Sequence, residues 1–281
     1  VPRYRPTKYI RAKQRYQGKT IDDLSPEDLS SLRKRVDKLQ SDKPLVSIAL
    51  IAKDEEDGIL PTIDSLSETI SKYPIEILVI DNNSSDRTPR TIKECGVRYV
   101  LQSTPGIPET RQCALESSRG KYVISGDADT LYQASWVDSL IDPMEKDKDV
   151  VCTYTLHAFI TDDNKYPFGL ILYQWLKYFS VLLKNMKRPH LVCGGASMAF
   201  RKEEALKVGG YDLTKRRGSD GTMAFDLAKL GSIHLVRSSK GVIWTSMRRT
   251  MMDGGLWSAF WIRFRQNMKP FFEYFTPQKE K

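Results

Sequence analysis

Short apolar runs alternate with helical patterns along most of this chain, and each run breaks off into a cluster of acidic, amide and hydroxyl side chains. Residues 45–51, 75–80, 97–101 and 122–125 read as strands, and Ile59, Ile63, Leu66 and Ile70 recur at helical spacing between the first two. Strands alternating with helices predict an α/β fold with a mainly parallel central sheet and helices on both faces. Ligands of such sheets sit beyond the carboxyl ends of the strands, so the residues directly after each strand are where chemistry is expected. Those residues are Lys53-Asp54-Glu55-Glu56-Asp57, Asp81-Asn82-Asn83-Ser84-Ser85-Asp86 and Asp127-Ala128-Asp129. The three clusters converge on one rim.

Two carboxylates one residue apart at a strand end, Asp127 and Asp129, suit a hard divalent cation such as Mn²⁺ or Mg²⁺, which prefers oxygen ligands and keeps positions open for phosphate. Short acidic pairs in turns are common, however, so this pair alone is a weak signal. Asp81 and Asn83 have a plain structural alternative as caps of the next helix. His157, His190 and His234 lack metal-ligand spacing and read as structural or surface residues, with His190 and His234 retained as weak diphosphate contacts.

Upstream of the sheet, residues 1–20 carry seven Lys and Arg and no acid, which reads as a solvated tail or a binding arm. Ser25-Pro26-Glu27-Asp28 then opens a helix with the stripe Leu29, Leu32, Val36 and Leu39. Residues 1–44 are therefore taken as a basic arm and amphipathic helix, and 45–281 as the main domain, divided at 136 into a donor half and an acceptor half. Four cysteines, Cys95, Cys113, Cys152 and Cys193, without C-x-x-C spacing argue against a zinc site or a disulfide framework and favour a reducing cytoplasm. A net charge of +9 favours anionic partners without choosing among nucleotide, nucleic acid and lipid.

Taken together, residues 46–56, Val79-Ile80-Asp81-Asn82-Asn83-Ser84-Ser85-Asp86-Arg87-Thr88, Gly106-Ile107-Pro108-Glu109-Thr110-Arg111 and residues 120–129 resemble glycosyltransferase family 2. Further matches are Gly194-Gly195-Ala196-Ser197, Gly209-Gly210-Tyr211-Asp212, Gly218-Ser219-Asp220 and Thr245-Ser246-Met247-Arg248-Arg249, so the resemblance covers nearly everything after Pro44. It implies a GT-A, Rossmann-like fold with an N-terminal helical extension, and an inverting transferase that moves a sugar from a nucleotide-sugar donor to a glycan or lipid-linked acceptor. Cell-surface polysaccharide or glycolipid synthesis in a bacterium is the matching family role. By the same match, Asp220 is the candidate base, Asp127 and Asp129 hold the metal, and Ile51, Ala52, Glu55, Asp81, Asn82, Arg111 and Ala128 bind the donor. An acceptor hydroxyl is a weak nucleophile at neutral pH, so a carboxylate must take its proton. A departing diphosphate needs its growing charge neutralised, by the cation and by Arg111.

Three departures stand out. Asn82 replaces a second aspartate, Ser219 replaces the usual glutamate before Asp220, and Ile51-Ala52-Lys53 replaces a proline-threonine-tyrosine type sequence. Asp220 also has a structural alternative as the N-cap of a helix carrying Met223, Leu227 and Leu230, and Arg111 as the partner of an acid. Residues 168–183 are close to membrane-like but are interrupted by Lys177 and too short to span, so a buried or acceptor-side helix is expected. Leu256, Trp257, Phe260, Trp261 and Phe264 with Arg263, Arg265 and Lys269 suggest core packing or peripheral attachment to the inner face of a membrane. A sugar-phosphate nucleotidyltransferase would want a glycine-rich, lysine-containing loop where residues 51–58 are acidic. A non-catalytic, basic nucleic-acid module is the third reading; no specific nucleic acid is expected.

Overall fold

The structure is a computed structural model and describes residues 5–161, 168–215 and 218–246. Residues 247–249 and the aromatic and basic run at 256–269 lie outside the described residues.

The chain opens with α1 (Lys8–Lys13), whose first turn is capped by the Thr7 hydroxyl accepting from Ile10 N–H. In α2 (Pro26–Leu39) the Ser25 hydroxyl accepts from Asp28 N–H, with proline in the first turn as the sequence pattern requires. The sheet elements follow as β1 (Val46–Ala52), α3 (Glu56–Leu66), β2 (Ile75–Asp81), α4 (Thr88–Glu94), β3 (Arg98–Leu101), α5 (Ile107–Ser117) and β4 (Tyr122–Asp127). After the short β5 (Thr130–Leu131) come α6 (Trp136–Lys146), β6 (Val150–Thr155), β7 (His157–Ile160) and α7 (Phe168–Lys187). The described chain ends with β8 (Ser197–Arg201), α8 (Lys202–Lys207), α9 (Ser219–Leu227), β9 (Ser232–Val236) and β10 (Ile243–Ser246).

Seven strands form one sheet in the order β3-β2-β1-β4-β8-β6-β9. Only β8 runs against its neighbours, pairing antiparallel with both β4 and β6. A second sheet has the order β5-β10-β7. The seven-stranded sheet divides the core by strand alternation: Ile48, Leu50, Ile77, Val79 and Ile124 join one cluster, and Ala49, Leu78, Ile80 and Val123 the other. Strands buried on both faces read as continuous apolar runs, which is why 45–51 and 75–80 were legible.

Over its described residues the basic N-terminal stretch is not a solvated tail. Ile10, Lys13 and Tyr16 are buried, and Lys13, Arg15 and Arg35 converge on the fully buried Asp64 of α3 at 3.0, 3.1 and 2.7 Å. A carboxylate without water is costly unless paired, and these cations supply the pairing. In consequence α3 is not a half-exposed helix with one apolar stripe; every residue from Gly58 to Leu66 is buried. Ile70, assigned to that stripe by its spacing, lies beyond the helix end and is exposed.

Candidate active site

Register brings the strand-end residues into line. Ala52 on β1 is level with Asp81 on β2, Ile51 is level with Asp127 on β4, and Asp81 is level with Leu101 on β3. The loop after β1 is tied to the loop after β2 by side chains from each: Asp54 N–H donates to the Ser84 hydroxyl (2.9 Å), Ser85 N–H to the Asp54 carboxylate (2.7 Å), and Glu55 N–H to the Thr88 hydroxyl (2.9 Å). Asp54 and Asn83 adopt φ of 50° and 57°, a left-handed conformation that Asp and Asn tolerate better than most residues.

Neither Asp81 nor Asn83 is the cap of α4, whose N-cap is Arg87; the Asp86 carboxylate accepts from Thr88 N–H at 2.9 Å. Buried Asp81 accepts from the Tyr99 hydroxyl (3.0 Å) and Ser84 N–H (3.2 Å). Asn82 donates to the carbonyls of Gln102 (3.0 Å) and Thr104 (2.7 Å) and accepts from Gly106 N–H (3.0 Å). Its amide thus braces the loop that leads into α5, and Asn82 N–H caps β1 at the Ala52 carbonyl, 2.8 Å. Glu55 is buried next to the acidic turn after β4, since a Cβ on Gly58 would stand 3.2 Å from both the Glu55 carboxylate and the Asp129 Cα.

That acidic turn is held from three sides. Thr62 of α3 lies with its hydroxyl 2.8 Å from the Ala128 carbonyl and 2.9 Å from that of Thr130, and accepts from Thr130 N–H at 3.1 Å. The buried Tyr132 hydroxyl accepts from Asp127 N–H (2.8 Å) and donates to the Asp127 carbonyl (3.0 Å). From α5, Arg111 donates to the Gly126 carbonyl at 2.7 Å and pairs with the Asp127 carboxylate. Gly126 is required there, because a Cβ would fall 2.5 Å from Leu50 and 2.6 Å from the Tyr132 hydroxyl. Asp127, Asp129 and Ala128 therefore sit on a rigid mount. Two carboxylates on such a mount fit a hard cation that draws its other ligands from phosphate and water, and among the described residues no three His, Cys, Asp or Glu side chains gather into a closed metal cage.

Arg111 joins this turn to the other side of the site. Its side chain is 3% exposed, and its Nε lies 3.7 Å from Asp220 Oδ1. Asp220 occupies the first turn of α9 and is not its N-cap; that position is Gly218, at φ 81°. The same Asp220 oxygen, buried, has no hydrogen-bond partner among the described residues. Burial raises the Asp220 carboxyl above its ordinary range, Arg111 draws it down, and the Asp127 charge adds to the rise. Gly195 lets Arg111 and Asp220 approach, since a Cβ there would stand 2.5 Å from Arg111 Nη2 and 2.6 Å from Asp220 Oδ1. The sequence reading gave Arg111 a direct place on the diphosphate; the fold aims it at the two carboxylates.

Beyond Asp220 opens a cavity of about 370 Å³ bordered by His190, Cys193, Lys215, Thr222 and Phe225. His190 meets Phe225 edge-on with ring centroids 5.0 Å apart. His157 lies under the Gly194-Gly195 turn, with burial and Lys177 pushing its pKa down to about 3, so the ring is neutral. His234 is exposed on β9, away from the site.

The family model for glycosyl transferase family 2 matches residues 47–210. Chondroitin synthase of Escherichia coli is 30% identical over 123 residues, covering 42% of this chain and 18% of that protein. An uncharacterized glycosyltransferase of Methanocaldococcus jannaschii is 28% identical over 191 residues, covering 64% of this chain and 63% of that protein. A diphosphoundecaprenol β-1,3-glucosyltransferase of Escherichia coli is 31% identical over 109 residues, covering 37% and 43%. The chain thus spans less than two thirds of the length of each of these relatives. Among solved structures, the Pyrobaculum calidifontis mannosyltransferase in complex with GDP-Man and Mn²⁺ shares the fold with TM-score 0.56 at 19% identity, covering 77% of this chain and 64% of that one. Glucosyl-3-phosphoglycerate synthase from Mycobacterium tuberculosis, in complex with Mn²⁺, UDP-glucose and phosphoglyceric acid, superposes with TM-score 0.51 at 19% identity, covering 80% and 75%. The aligned strand ends, the shared fold and a family match over residues 47–210 lead to one conclusion: this chain has a GT-A fold and belongs to glycosyl transferase family 2.

Proposed function

We propose that the chain moves a hexosyl group from a nucleoside-diphosphate sugar to an acceptor hydroxyl in one inverting displacement, with a divalent cation on Asp127 and Asp129. The observation that carries this reading is Arg111 lodged between Asp127 and Asp220, which fixes a metal-type carboxylate and a base-type carboxylate relative to one another.

When bound, Mn²⁺ or Mg²⁺ would neutralise charge on the departing diphosphate. This chain's own groups do the rest. The strand-end backbone at Ile51 and Ala52, with Glu55 and Asp81, forms the seat for base and ribose. Asn82 supports that seat by holding the loop at 102–106. Asp220 accepts the proton of an acceptor hydroxyl placed in the adjoining cavity, and the freed oxygen attacks the anomeric carbon on the face opposite the diphosphate. A raised carboxyl pKa suits that work, since a more basic carboxylate takes a hydroxyl proton more readily. The names of the chondroitin synthase and the diphosphoundecaprenol glucosyltransferase support a glycan or a lipid-linked acceptor.

The deciding measurement is nucleotide release from a panel of nucleotide sugars with Mn²⁺, Mg²⁺ or chelator. Metal-dependent release from one donor, lost in Asp129→Ala, is the expected result. Release that ignores chelator, or that survives in Asp129→Ala, would remove the metal assignment, and no release from any donor would remove the transferase reading.

A further inference from the structure

Two carboxylates compete for Arg111. Its Nη1 donates to the Gly126 carbonyl at 2.7 Å, its Nη2 pairs with Asp127 Oδ1, and its Nε lies 3.7 Å from Asp220 Oδ1. Neither that Nε nor that Asp220 oxygen has a hydrogen-bond partner among the described residues. Burial disfavours the Arg111 charge, but Asp127 and Asp220 hold its pKa above the ordinary value, so the guanidinium is a permanent cation. The Asp127 side chain is 33% exposed against 3% for Arg111. One oxygen of that carboxylate is thus taken from inside, while the residue remains open to solvent.

An arginine beside a metal carboxylate can act in two opposed ways. As an outer donor it orients the carboxylate, which is worth about 10–100-fold in metal affinity. As a fixed cation it engages an oxygen and repels a divalent ion, an effect that scales with the product of the charges and grows where water is scarce. A buried guanidinium in direct contact with Asp127 meets both of those conditions. Orientation, by contrast, already has other sources. Tyr132 holds both the N–H and the carbonyl of Asp127, and Thr62 holds the backbone of Ala128 and Thr130. Repulsion is therefore the larger effect of Arg111 on a cation at this turn.

We propose that Arg111 is a counterion that withholds Asp127 from a bare divalent cation and yields it to a cation arriving with a nucleoside diphosphate. The diphosphate's negative charge offsets the guanidinium, so cation and nucleotide each bind more tightly when the other is present. Asp220, on the far side of Arg111, keeps the guanidinium compensated as Asp127 turns to the cation. Arg111 is in this sense a positioning residue, and the proposal rests on the reading of Asp127 and Asp129 as the cation's carboxylates.

The test is Mn²⁺ binding, followed by electron paramagnetic resonance of the free ion, without nucleotide and with saturating UDP, GDP, ADP or dTDP. Wild type, Arg111→Gln and Arg111→Lys are compared, with thermal melts to confirm that each folds. Arg111→Gln keeps a donor for the Gly126 carbonyl and removes the charge. Without nucleotide it is expected to bind Mn²⁺ about tenfold more tightly than wild type, and to lose about tenfold of the enhancement that nucleotide brings. Arg111→Lys restores the charge and should return both quantities toward wild type. Unchanged or weaker Mn²⁺ binding in Arg111→Gln overturns the counterion role and leaves Arg111 as an orienting donor. Wild type that binds Mn²⁺ equally well with and without every nucleotide overturns it too, whatever the fate of the variants. No Mn²⁺ binding by wild type under any condition removes the metal reading of Asp127 and Asp129, and this proposal with it.

Discussion

Arg111 is a buried charge shared between two carboxylates with different proposed work, so substitutions around it should separate that work. Asp220→Asn keeps the shape of the side chain and removes its capacity to take a proton; turnover is expected to fall about a thousandfold with donor affinity by calorimetry unchanged. Equal losses in both would instead place Asp220 in donor binding. Thr62→Val deletes the hydroxyl that holds the Ala128 and Thr130 backbone. The Mn²⁺ concentration for half-maximal activity should rise about tenfold, with Thr62→Ser restoring it and a stability cost of about 1–3 kcal/mol. An unchanged Mn²⁺ requirement in Thr62→Val would reduce Thr62 to a packing role. Asp127, Asp220 and Arg111 were legible because strand ends and short motifs mark them. Thr62 was not, since a threonine in mid-helix carries no spacing signal and its partners lie 66 and 68 residues away. Asn82 was marked by its place after β2, but its hydrogen bonds to the loop at 102–106 were not legible: the partners of a side chain after a strand are set by the fold.

α3 shows why the amphipathic pattern misled. Ile59, Ile63 and Leu66 do face the sheet, but the opposite side is covered by the N-terminal helices, so Asp64 is buried as deeply as the leucines. Asp64→Ala should destabilise the chain by about 3–5 kcal/mol in urea unfolding, because it leaves the buried Lys13 ammonium only the part-exposed Glu68 at 2.6 Å and removes the shared carboxylate of Arg15 and Arg35. A loss below about 1 kcal/mol would mean that the cluster behaves as a surface ion pair. The strands carry a second buried carboxylate. Glu76 on β2 accepts from the Ser47 hydroxyl at 2.6 Å and pairs with Arg98 and Arg119 at 3.0 and 2.8 Å. Burial on its own would raise the Glu76 carboxyl, but Ser47 and the Arg119 backbone and guanidinium hold it below the ordinary glutamate range. A folded-state value below the unfolded one gives stability that is present above the usual glutamate pKa of about 4.3 and lost as pH falls through the folded value. Urea midpoints measured from pH 7 downward should therefore drop more steeply for wild type than for Glu76→Gln; parallel slopes would remove Glu76 from the acid response.

At the scale of the molecule, the sheet was the most legible feature, because strands buried on both faces leave unbroken apolar runs and their ends leave polar clusters. The antiparallel β8 and the second sheet were not legible: residues 130–131 and 157–160 are too short and too mixed to announce themselves as strands. The net charge was equally ambiguous, since three of the N-terminal half's cations turn inward to Asp64. That use weakens the nucleic-acid reading, and a shallow salt dependence of RNA binding is expected in a filter assay. The position of β8 also bears on how the chain is made. β4 is complete at Asp127, yet one of its sheet partners arrives with β8, the Tyr122 hydroxyl meeting Arg201 from 79 residues further along. On a ribosome the block β3-β2-β1-β4 can assemble first, with one edge of β4 left open until β8 emerges and closes it. Nascent chains stalled in that interval expose an unpaired, apolar strand, which makes this stretch of synthesis the one most exposed to aggregation and to chaperone capture.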